Sequence, residues 1–493
     1  MSNKQPILNS EPMLYAVDEE TPLIHQVVSG GYCVGCGSCA AISGGALTMR
    51  RQEDGTYVPG PRPSGDVGSV GGNDLAAACP FSSQCTSEDE LSKEFLPDAN
   101  HHHGELGRYI ESHVVHVTSE ELRAASSSGG FARWLLRELL QQGHVTHVAH
   151  VTNVEGAAPG EELFRYSLTD DANELRQTAK SAYYPVNLED VIPAIKKVDG
   201  QVAITAIPCF AKAIRQLCLQ DADLRRKIKI VVGIICGHMK SRGFAELLSW
   251  QVGVPPGQLG GADFRQKLPG WPANHKGFSV YDLRSSRWTE PVNTKGLVGG
   301  DWGLGLLKNH ACEFCDDVLA EVADVAVGDA WLPEYIQDPK GHSIVVIRNR
   351  LIQSVLRDGV RRGELKGMDV DANTVAKSQA GGLRHRREGL SYRLWITETR
   401  GLWHPPKRVP PDSIRIPKRR KRIYEVRYQL AVESLKAFSR AMAADDLSLF
   451  YDGTSKYIKT YDKLHRPWWR RRLSPIKRIL TSLLGNLKRR GIA

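Results

Sequence analysis

A run of three cysteines near the N-terminus constrains this chain more than any other stretch. Cys33, Cys36 and Cys39 follow one another with two residues between them, and one glycine lies in each interval. Three thiolates at this spacing can surround one face of a 4Fe–4S cube, because small residues let the backbone turn between them. Bacterial ferredoxins follow such a run with C-x3-C-P, and Ser43 stands at that cysteine position here. The sequence therefore predicts one 4Fe–4S cluster with a fourth ligand from further along the chain.

Two later cysteines compete for the fourth ligand position. Cys79 is followed by Pro80, as the last ligand is in ferredoxins, and is therefore preferred to Cys85. A zinc site is the alternative, because C-x2-C is also the spacing of zinc ligands. Zinc modules normally use two separated pairs, so the close triple favours iron–sulfur chemistry.

Length and composition describe a cytoplasmic protein of several domains. The 493 residues suffice for about two to four domains, and 41% hydrophobic and 24% charged residues are ordinary for a soluble chain. We see no secretion signal, and no apolar run approaches the roughly 18 residues of a membrane span. Ten cysteines then indicate metal or redox use in a reducing cytoplasm rather than disulfides.

Charge divides the chain into two parts. Residues 401–493 contain 23 Lys and Arg against 7 Asp and Glu, a net charge of +16, whereas the whole chain carries +10 and residues 1–400 about −6. In 466–493, two tryptophans precede apolar residues at helical spacing, which are flanked by Lys and Arg. Such a basic amphipathic helix suits an anionic membrane surface, at the inner face, or a partner protein. Nucleic acid is a less favoured partner, because no readout motif is present.

Strand and helix patterns alternate between residues 110 and 350. Strands are predicted at 114–118, 145–151, 202–207 and 228–235. Helices are predicted after residue 130 (Phe131, Leu135 and Leu139 at i, i+4 spacing) and at 191–197, 210–219 and 244–252. This alternation predicts an α/β fold whose mixed sheet core is largely parallel, with function at the junctions of strand and helix.

One such junction is rich in serine and glycine. Ala125-Ser-Ser-Ser-Gly-Gly130 opens a predicted helix, and its free backbone N–H groups and the helix dipole favour a phosphate. The alternative is a plain serine N-cap followed by flexible glycines.

Four more cysteines lie at strand ends or in one loop. Cys209 and Cys236 follow predicted strands, and Cys312 and Cys315 form a later C-x2-C pair. Four thiolates suffice for a second cluster. Cys218 lies inside a helical pattern and is interpreted as a core residue.

The chain resembles a known family, the beta subunits of coenzyme F420-reducing hydrogenases and dehydrogenases, which includes 7-hydroxymethyl chlorophyll a reductase. The likeness covers about residues 31–350 and has the family's order of motifs: the opening cysteine run, Ser-Ser-Ser-Gly-Gly130, Lys180-Ser-Ala-Tyr-Tyr-Pro185, Ile207-Pro-Cys209, Ile235-Cys236, Cys312-Glu-Phe-Cys-Asp, Ala323-Asp-Val-Ala-Val-Gly-Asp329 and Gly341-His-Ser-Ile-Val-Val-Ile-Arg348. The basic C-terminal part continues past the usual end of the family.

The resemblance implies a flavin iron–sulfur oxidoreductase that holds FAD and two 4Fe–4S clusters. By match, the FAD site would consist of Ser127, Ser128, Gly129 and Gly130 at the phosphates, with Lys180, Ser181, Tyr184 and Pro208 lining it. The cluster nearest the flavin would be held by Cys209, Cys236, Cys312 and Cys315, and the ferredoxin-like one by Cys33, Cys36, Cys39 and Cys79.

The interpretation of function follows from these cofactors. Electrons would pass from a ferredoxin-like donor through both clusters to FAD, and a hydride would then go to a small organic acceptor. Tyr183, His238 and Lys240 are candidate proton donors by position only. The alternative is a non-catalytic electron-transfer subunit that serves a partner enzyme, for example in polysaccharide metabolism.

These interpretations divide the chain into five parts. They are a flexible N-terminus at 1–30, a ferredoxin-like segment at 31–105, a catalytic domain at 106–365, a linker at 366–425 and a basic helical extension at 426–493.

Overall fold

A computed structural model describes residues 23–62, 72–176 and 180–465. Its strands are β1 (Leu47–Arg51), β2 (Tyr57–Pro61), β3 (His101–His103), β4 (Gly107–Tyr109), β5 (Glu111–Val117), β6 (His147–Asn153), β7 (Phe164–Thr169), β8 (Val202–Ala206), β9 (Ile228–Ile234), β10 (Leu259–Lys267), β11 (Lys276–Asp282), β12 (Arg287–Trp288), β13 (Val292–Asn293), β14 (Val325–Asp329), β15 (Ser343–Ile347) and β16 (Leu365–Asp369). Its α-helices are α1 (Ser38–Ile42), α2 (Gly72–Ala78), α3 (Glu88–Phe95), α4 (Glu120–Ala125), α5 (Phe131–Gln141), α6 (Val191–Lys197), α7 (Pro208–Gln220), α8 (Ala222–Lys227), α9 (Gly243–Gln251), α10 (Pro333–Ile336), α11 (Arg350–Arg361), α12 (Ala372–Ser378), α13 (Ala380–Arg386), α14 (Glu388–Thr399), α15 (Lys418–Ala444) and α16 (Ser448–His465).

An eight-stranded mixed sheet forms the centre of the fold, in the order β16-β5-β15-β14-β9-β8-β6-β7. The four central strands β14, β9, β8 and β6 run parallel, whereas the strands that flank them pair antiparallel. The α/β prediction with a mixed sheet is confirmed, but a largely parallel sheet is wrong. One reason is that β6 connects to β7 through only ten residues, fewer than the dozen or more that a parallel neighbour requires.

The central strands are buried on both faces, as their apolar sequences predict. In β8, Val202 and Ile204 pack with α6 and α7 on one face, while Ala203 packs with α5 on the other. Phe131 and Leu135 of α5 lie in that second core, because residues four apart share one face of a helix. The predicted strands and helices of this layer lie where expected to within a few residues.

A third apolar core lies under the smaller antiparallel sheet β10–β13. Helices α9, α15 and α16 pack on it, and Phe438 of α15 meets Phe450 of α16 edge to face at 6.0 Å. Helix α15 begins at Lys418, so the basic stretch 418–422, inside the predicted linker, is helical. The range 366–425, predicted as a linker, contains α12, α13 and α14 and contributes Leu390 and Leu394 to the main core.

The N-terminal cysteine segment is joined to the main sheet domain. Leu91, Cys36 and Cys39 belong to the same apolar core as α6 and α7, and the N–H of Leu188 donates to the carbonyl of Cys36 at 2.8 Å.

The histidines of 101–103 form the short strand β3, with the first two exposed. The predicted basic helix in 466–493, and most of the predicted flexible stretch 1–30, lie outside the described residues. No helix in the described ranges has both the length and the apolar character needed to cross a bilayer.

Candidate functional site

The first cysteine group is built by a backbone that turns at glycine. Gly35 and Gly37 have φ of +74° and +77°, which glycine adopts without strain. A Cβ on Gly35 would lie 2.9 Å from the carbonyl oxygen of Tyr57, so a larger residue has no room there. The predicted role of small residues within the C-x2-C-x2-C run therefore agrees with the backbone geometry.

Cys79 lies next to these three cysteines. The hydroxyl of Ser38 donates to the carbonyl oxygen of Ala78 at 3.0 Å and lies 3.3 Å from the Cys36 sulfur. Burial, together with the thiols of Cys36, Cys39 and Cys33, raises the pKa of Cys79 well above its usual value. Cys36, Cys39 and Cys79 are buried in one apolar core, and the partly buried Cys33 packs against it.

Cys85 has a different neighbourhood. The Cys85 side chain interacts with Lys212, and Lys212 pairs with Glu88 at 3.2 Å. Of the two candidates for the fourth ligand, the structure therefore places Cys79 and not Cys85 in the first cysteine group.

The second cysteine group assembles at the carboxyl edge of the parallel strands. Cys209 is the second residue of α7, directly after β8, and Cys236 follows β9. The N–H of Cys236 donates to the carbonyl of Val318 at 3.0 Å, which brings the loop with Cys312 and Cys315 to the same edge. The side chains that line the resulting cavity of about 250 Å³, part of it open to solvent, are Val34, Phe81, Ile207, Pro208, Cys209, Cys236, Met239, Cys312, Cys315 and Arg386.

The four sulfurs of this cavity interact with one another and with the first group. Burial, followed by the thiols of Cys315, Cys312, Cys236 and finally Cys36, raises the pKa of Cys209 well above its usual value. Cys36 belongs to the first group, so the two groups are neighbours. Val34 and Phe81 also come from the N-terminal segment, which therefore forms one wall of the second cavity.

The donor chemistry of both groups fits an iron–sulfur cluster. All eight thiols are free, and backbone N–H groups already donate to sulfur, from Gly35 to Cys33 at 3.4 Å and from Met239 to Cys312 at 3.3 Å. Such N–H···S bonds are among the features that set cluster potentials. Within the described ranges, no three His, Cys, Asp or Glu side chains are arranged to hold a single metal ion.

The serine–glycine loop, Ser127–Gly130, lies against the end of the main sheet. Gly130 has a φ of +90° and caps α5, and a Cβ on Gly129 would lie 2.6 Å from the backbone N–H of Ser343 and the carbonyl of Val115. The N–H of Ser181 donates to the hydroxyl oxygen of Ser127 at 2.9 Å. The predicted FAD residues 127–130 and 180–181 are therefore neighbours in the structure.

A group of cations that the sequence did not predict surrounds this loop. Arg265 and Lys276 donate to the carbonyl oxygen of Ser127 at 3.1 and 3.0 Å, and Lys267 donates to that of Ser128 at 3.0 Å. We call Arg265, Lys267 and Lys276 the loop cations. Arg265 is paired with Asp329 at 2.5 Å, whereas among the described residues no carboxylate lies within ion-pair distance of either lysine.

Burial disfavours the charged forms of the two lysines, and a bound anion would offset this cost in free energy. Burial, together with the charge of Lys276, lowers the pKa of Lys267 to about 7. Burial, together with Arg265, lowers the pKa of Lys276 to about 7. An anionic group placed among them would favour their charged forms, so the site fits a phosphate or diphosphate.

Two predicted flavin residues lie elsewhere. Tyr184 is 2% exposed, its hydroxyl donates to Glu162 at 2.8 Å, and its ring packs on Phe164. The adjacent Tyr183 is the one that meets the loop cations, since its hydroxyl accepts from Arg265 at 2.8 Å. Pro208 lines the second cysteine cavity rather than the serine–glycine loop.

A layer of rings lies between the loop cations and the second cysteine group. Trp302 is 4.5 Å from Tyr183 and stacks on His238 at 4.4 Å, measured between ring centroids. His238 is 7% exposed, and its Nε2 has no hydrogen-bond partner within the described part of the chain. The ammonium of Lys240, a further candidate proton donor, lies over the Trp302 ring at 4.5 Å and donates to the carbonyl of Leu306. Gly237, next to Cys236, has space only for hydrogen, because a Cβ would be 2.3 Å from Nε1 of Trp302.

Comparison with known proteins identifies two family models that match this chain. Both are models of the coenzyme F420 hydrogenase/dehydrogenase beta subunit. The model of the N-terminal part matches residues 113–193, and the model of the C-terminal part matches residues 199–373. Together the two ranges cover about half of the chain.

Two curated proteins are similar in sequence. The coenzyme F420 hydrogenase subunit beta of Methanothermobacter thermautotrophicus is 26% identical over 275 residues, which is 52% of this chain and 84% of that protein. The coenzyme F420-dependent sulfite reductase of Methanocaldococcus jannaschii is 21% identical over 406 residues, 77% of this chain and 55% of that protein. A chain of the F420-reducing [NiFe] hydrogenase complex from Methanosarcina barkeri aligns in structure with a TM-score of 0.47 and 17% identity, over 62% of this chain and 99% of that one.

Proposed function

Because the chain belongs to the family of coenzyme F420 hydrogenase/dehydrogenase beta subunits, we propose that it is an FAD-dependent iron–sulfur oxidoreductase. It takes single electrons from a ferredoxin-like donor and delivers hydride to a small organic acceptor. Two electrons and one proton make up each hydride, so the donor reacts twice for every acceptor reduced.

The observation that supports this proposal most is the convergence of eight cysteines into two adjacent groups. The first group consists of Cys33, Cys36, Cys39 and Cys79, and the second of Cys209, Cys236, Cys312 and Cys315. Val34, which follows Cys33 of the first group, lines the cavity of the second group, and this proximity supports electron exchange between the two groups. Each group would hold one 4Fe–4S cluster through its four thiolates.

The loop cations support FAD as the other cofactor. Ser127–Gly130 and the N-terminus of α5 would hold the diphosphate, with Lys267 and Lys276 supplying charge. When bound, a flavin converts single electrons into a hydride, and a cluster carries them one at a time. The protein's own contribution is to separate these tasks in space. Apolar side chains line most of the cysteine cavity, and the rings of Trp302 and Tyr183 lie between that cavity and the cationic loop.

Cofactor analysis of the anaerobically purified full chain tests the proposal. We expect one FAD and about eight iron atoms per chain, four for each cube. Cys312→Ser should lose about half of the iron and keep the signal of the first cluster, while Cys218→Ser, outside both groups, should keep all of it. Zinc in place of iron, or an unchanged iron content in Cys312→Ser, would contradict the ligand sets.

A second candidate function is electron transfer without a substrate of its own. It is favoured by the similarity to a protein named as a hydrogenase subunit. Reduction by dithionite or ferredoxin with a panel of organic acceptors separates the two candidates. Turnover by the isolated chain supports the enzyme, and reduction of FAD that is reoxidised only by a partner protein supports the subunit.

A further inference from the structure

One guanidinium lines the second cysteine cavity. Arg386 is the last residue of α13, beyond the range 199–373 that the family model matches, and it is 2% exposed. Its Nη2 donates to the carbonyl oxygens of Cys236 and Gly237, at 3.1 and 2.8 Å. Its Nε is buried without a hydrogen-bond partner in the described part of the chain.

The charge of this side chain is not matched by an adjacent carboxylate. Within the described ranges, no Asp or Glu lies within ion-pair distance of Arg386, and the groups lining the cavity that can become negative are its own thiols. The side chains of Cys236, Cys312 and Cys315 line the same cavity as this guanidinium. A buried charge is tolerated when it is paired, so this cation favours anionic sulfur in the cavity.

We propose that Arg386 is a positioning residue for the second iron–sulfur centre, which it also makes easier to reduce. Its two hydrogen bonds hold the consecutive carbonyl groups of Cys236 and Gly237 and so orient the Cys236 sulfur. Its fixed positive charge offsets the negative charge that one added electron brings, so it raises the reduction potential of this centre. The step is the gain of one electron from the neighbouring first centre, with no bond made or broken. Electrons are therefore drawn from the first group towards the second.

This inference rests on the proposed function, and a redox titration of the full chain separates the two. The variants are Arg386→Gln, which removes the charge, and Arg386→Lys, which keeps it. Arg384→Gln is the matched control, because Arg384 lies two residues earlier on the same helix and is exposed. Each protein is titrated anaerobically, with the reduced cluster followed by electron paramagnetic resonance and the iron content measured in parallel.

In Arg386→Gln we expect the ratio of reduced to oxidised second centre to fall about tenfold at a fixed potential, which is about 59 mV for one electron. Arg386→Lys should retain most of the wild-type potential, and Arg384→Gln all of it. An unchanged potential in Arg386→Gln at full iron content overturns the inference. If Arg386→Gln loses iron, Arg386→Lys decides: a potential like that of wild type supports a charge effect, and a lowered potential at full iron content refutes it. A wild-type chain without iron would refute the proposed function itself.

Discussion

Arg408 donates to both carboxylate oxygens of Glu321, at 2.7 and 3.0 Å. The same guanidinium lies 3.1 Å from Asp89 in the N-terminal segment and 3.4 Å from Asp316, next to Cys315. One side chain thus ties the C-terminal part of the chain to the surroundings of both cysteine groups. Lys407 adds to this connection, since its ammonium lies over the Phe81 ring at 4.4 Å.

Replacing Arg408 by Met should destabilise the protein strongly. Glu321 and Asp316 are almost fully buried, and removing one partner of a buried ion pair leaves an uncompensated charge at a cost of about 3–5 kcal/mol. The free energy of unfolding in a denaturant titration measures this. Arg422→Met is the control, because Arg422 is half exposed and its pair with Glu425 contributes only about 0.3–0.5 kcal/mol. Equal effects of the two substitutions would mean that the Arg408 network does not stabilise the fold.

The choice between Cys79 and Cys85 can be decided by two matched substitutions. Cys79→Ser should lose the iron and the spectroscopic signal of the first cluster, because its sulfur lies with those of Cys33, Cys36 and Cys39. Cys85→Ser should retain both, since its neighbour is Lys212. Iron analysis of both variants after anaerobic purification is the measurement, and the reverse pattern would exchange their roles.

Binding of FAD to the chain should weaken as the pH rises from about 7 to about 9. Lys267 and Lys276 have pKa values of about 7 in the ligand-free protein, and a diphosphate requires them protonated. Binding at pH 8 should therefore take up protons, which calorimetry in buffers of different ionisation enthalpy detects. Lys276→Met should reduce this uptake, and Lys295→Met, at an exposed lysine, should not. Binding without proton uptake would place the phosphates elsewhere.

The same two lysines predict the pH dependence of stability in the absence of ligand. Their folded pKa lies below the unfolded value of about 10.4, so the unfolded chain holds more protons between about pH 7 and pH 10. Their contribution to the free energy of unfolding therefore rises with pH across that window. Denaturant titrations of the wild type and Lys276→Met at pH 7 and pH 9 measure it, and the variant should show the smaller rise.

Deleting residues 466–493 tests the membrane interpretation of the basic tail. If paired tryptophans and flanking Lys and Arg bind an anionic surface, the intact chain should sediment with vesicles that contain anionic lipid and the deletion should not. Neutral vesicles and raised salt are the controls, because both remove the electrostatic attraction. Equal sedimentation of the two proteins would favour a partner protein as the target.

The parts of the site that can be predicted from sequence are those whose residues lie close together along the chain. The C-x2-C-x2-C run and the serine–glycine loop could be identified because each depends on neighbours along the chain. The loop cations were missed because they come from β10 and β11, for which no strands were predicted, and Arg265 and Lys267 alternate there as on any polar strand face. No sequence motif pointed to Arg386, because only the packing of α13 brings this side chain to the cavity. Tyr183 and Tyr184 are adjacent on the chain, and only the direction of the backbone decides which of them faces Arg265.

Val34 and Phe81 give the second cavity a wall that belongs to the first cysteine segment. A chain without these two side chains would leave the sulfurs of the second cysteine group more open to water and oxygen, even if the rest of the domain folded. If the second group holds a cluster, the N-terminal segment would limit access to it from that side.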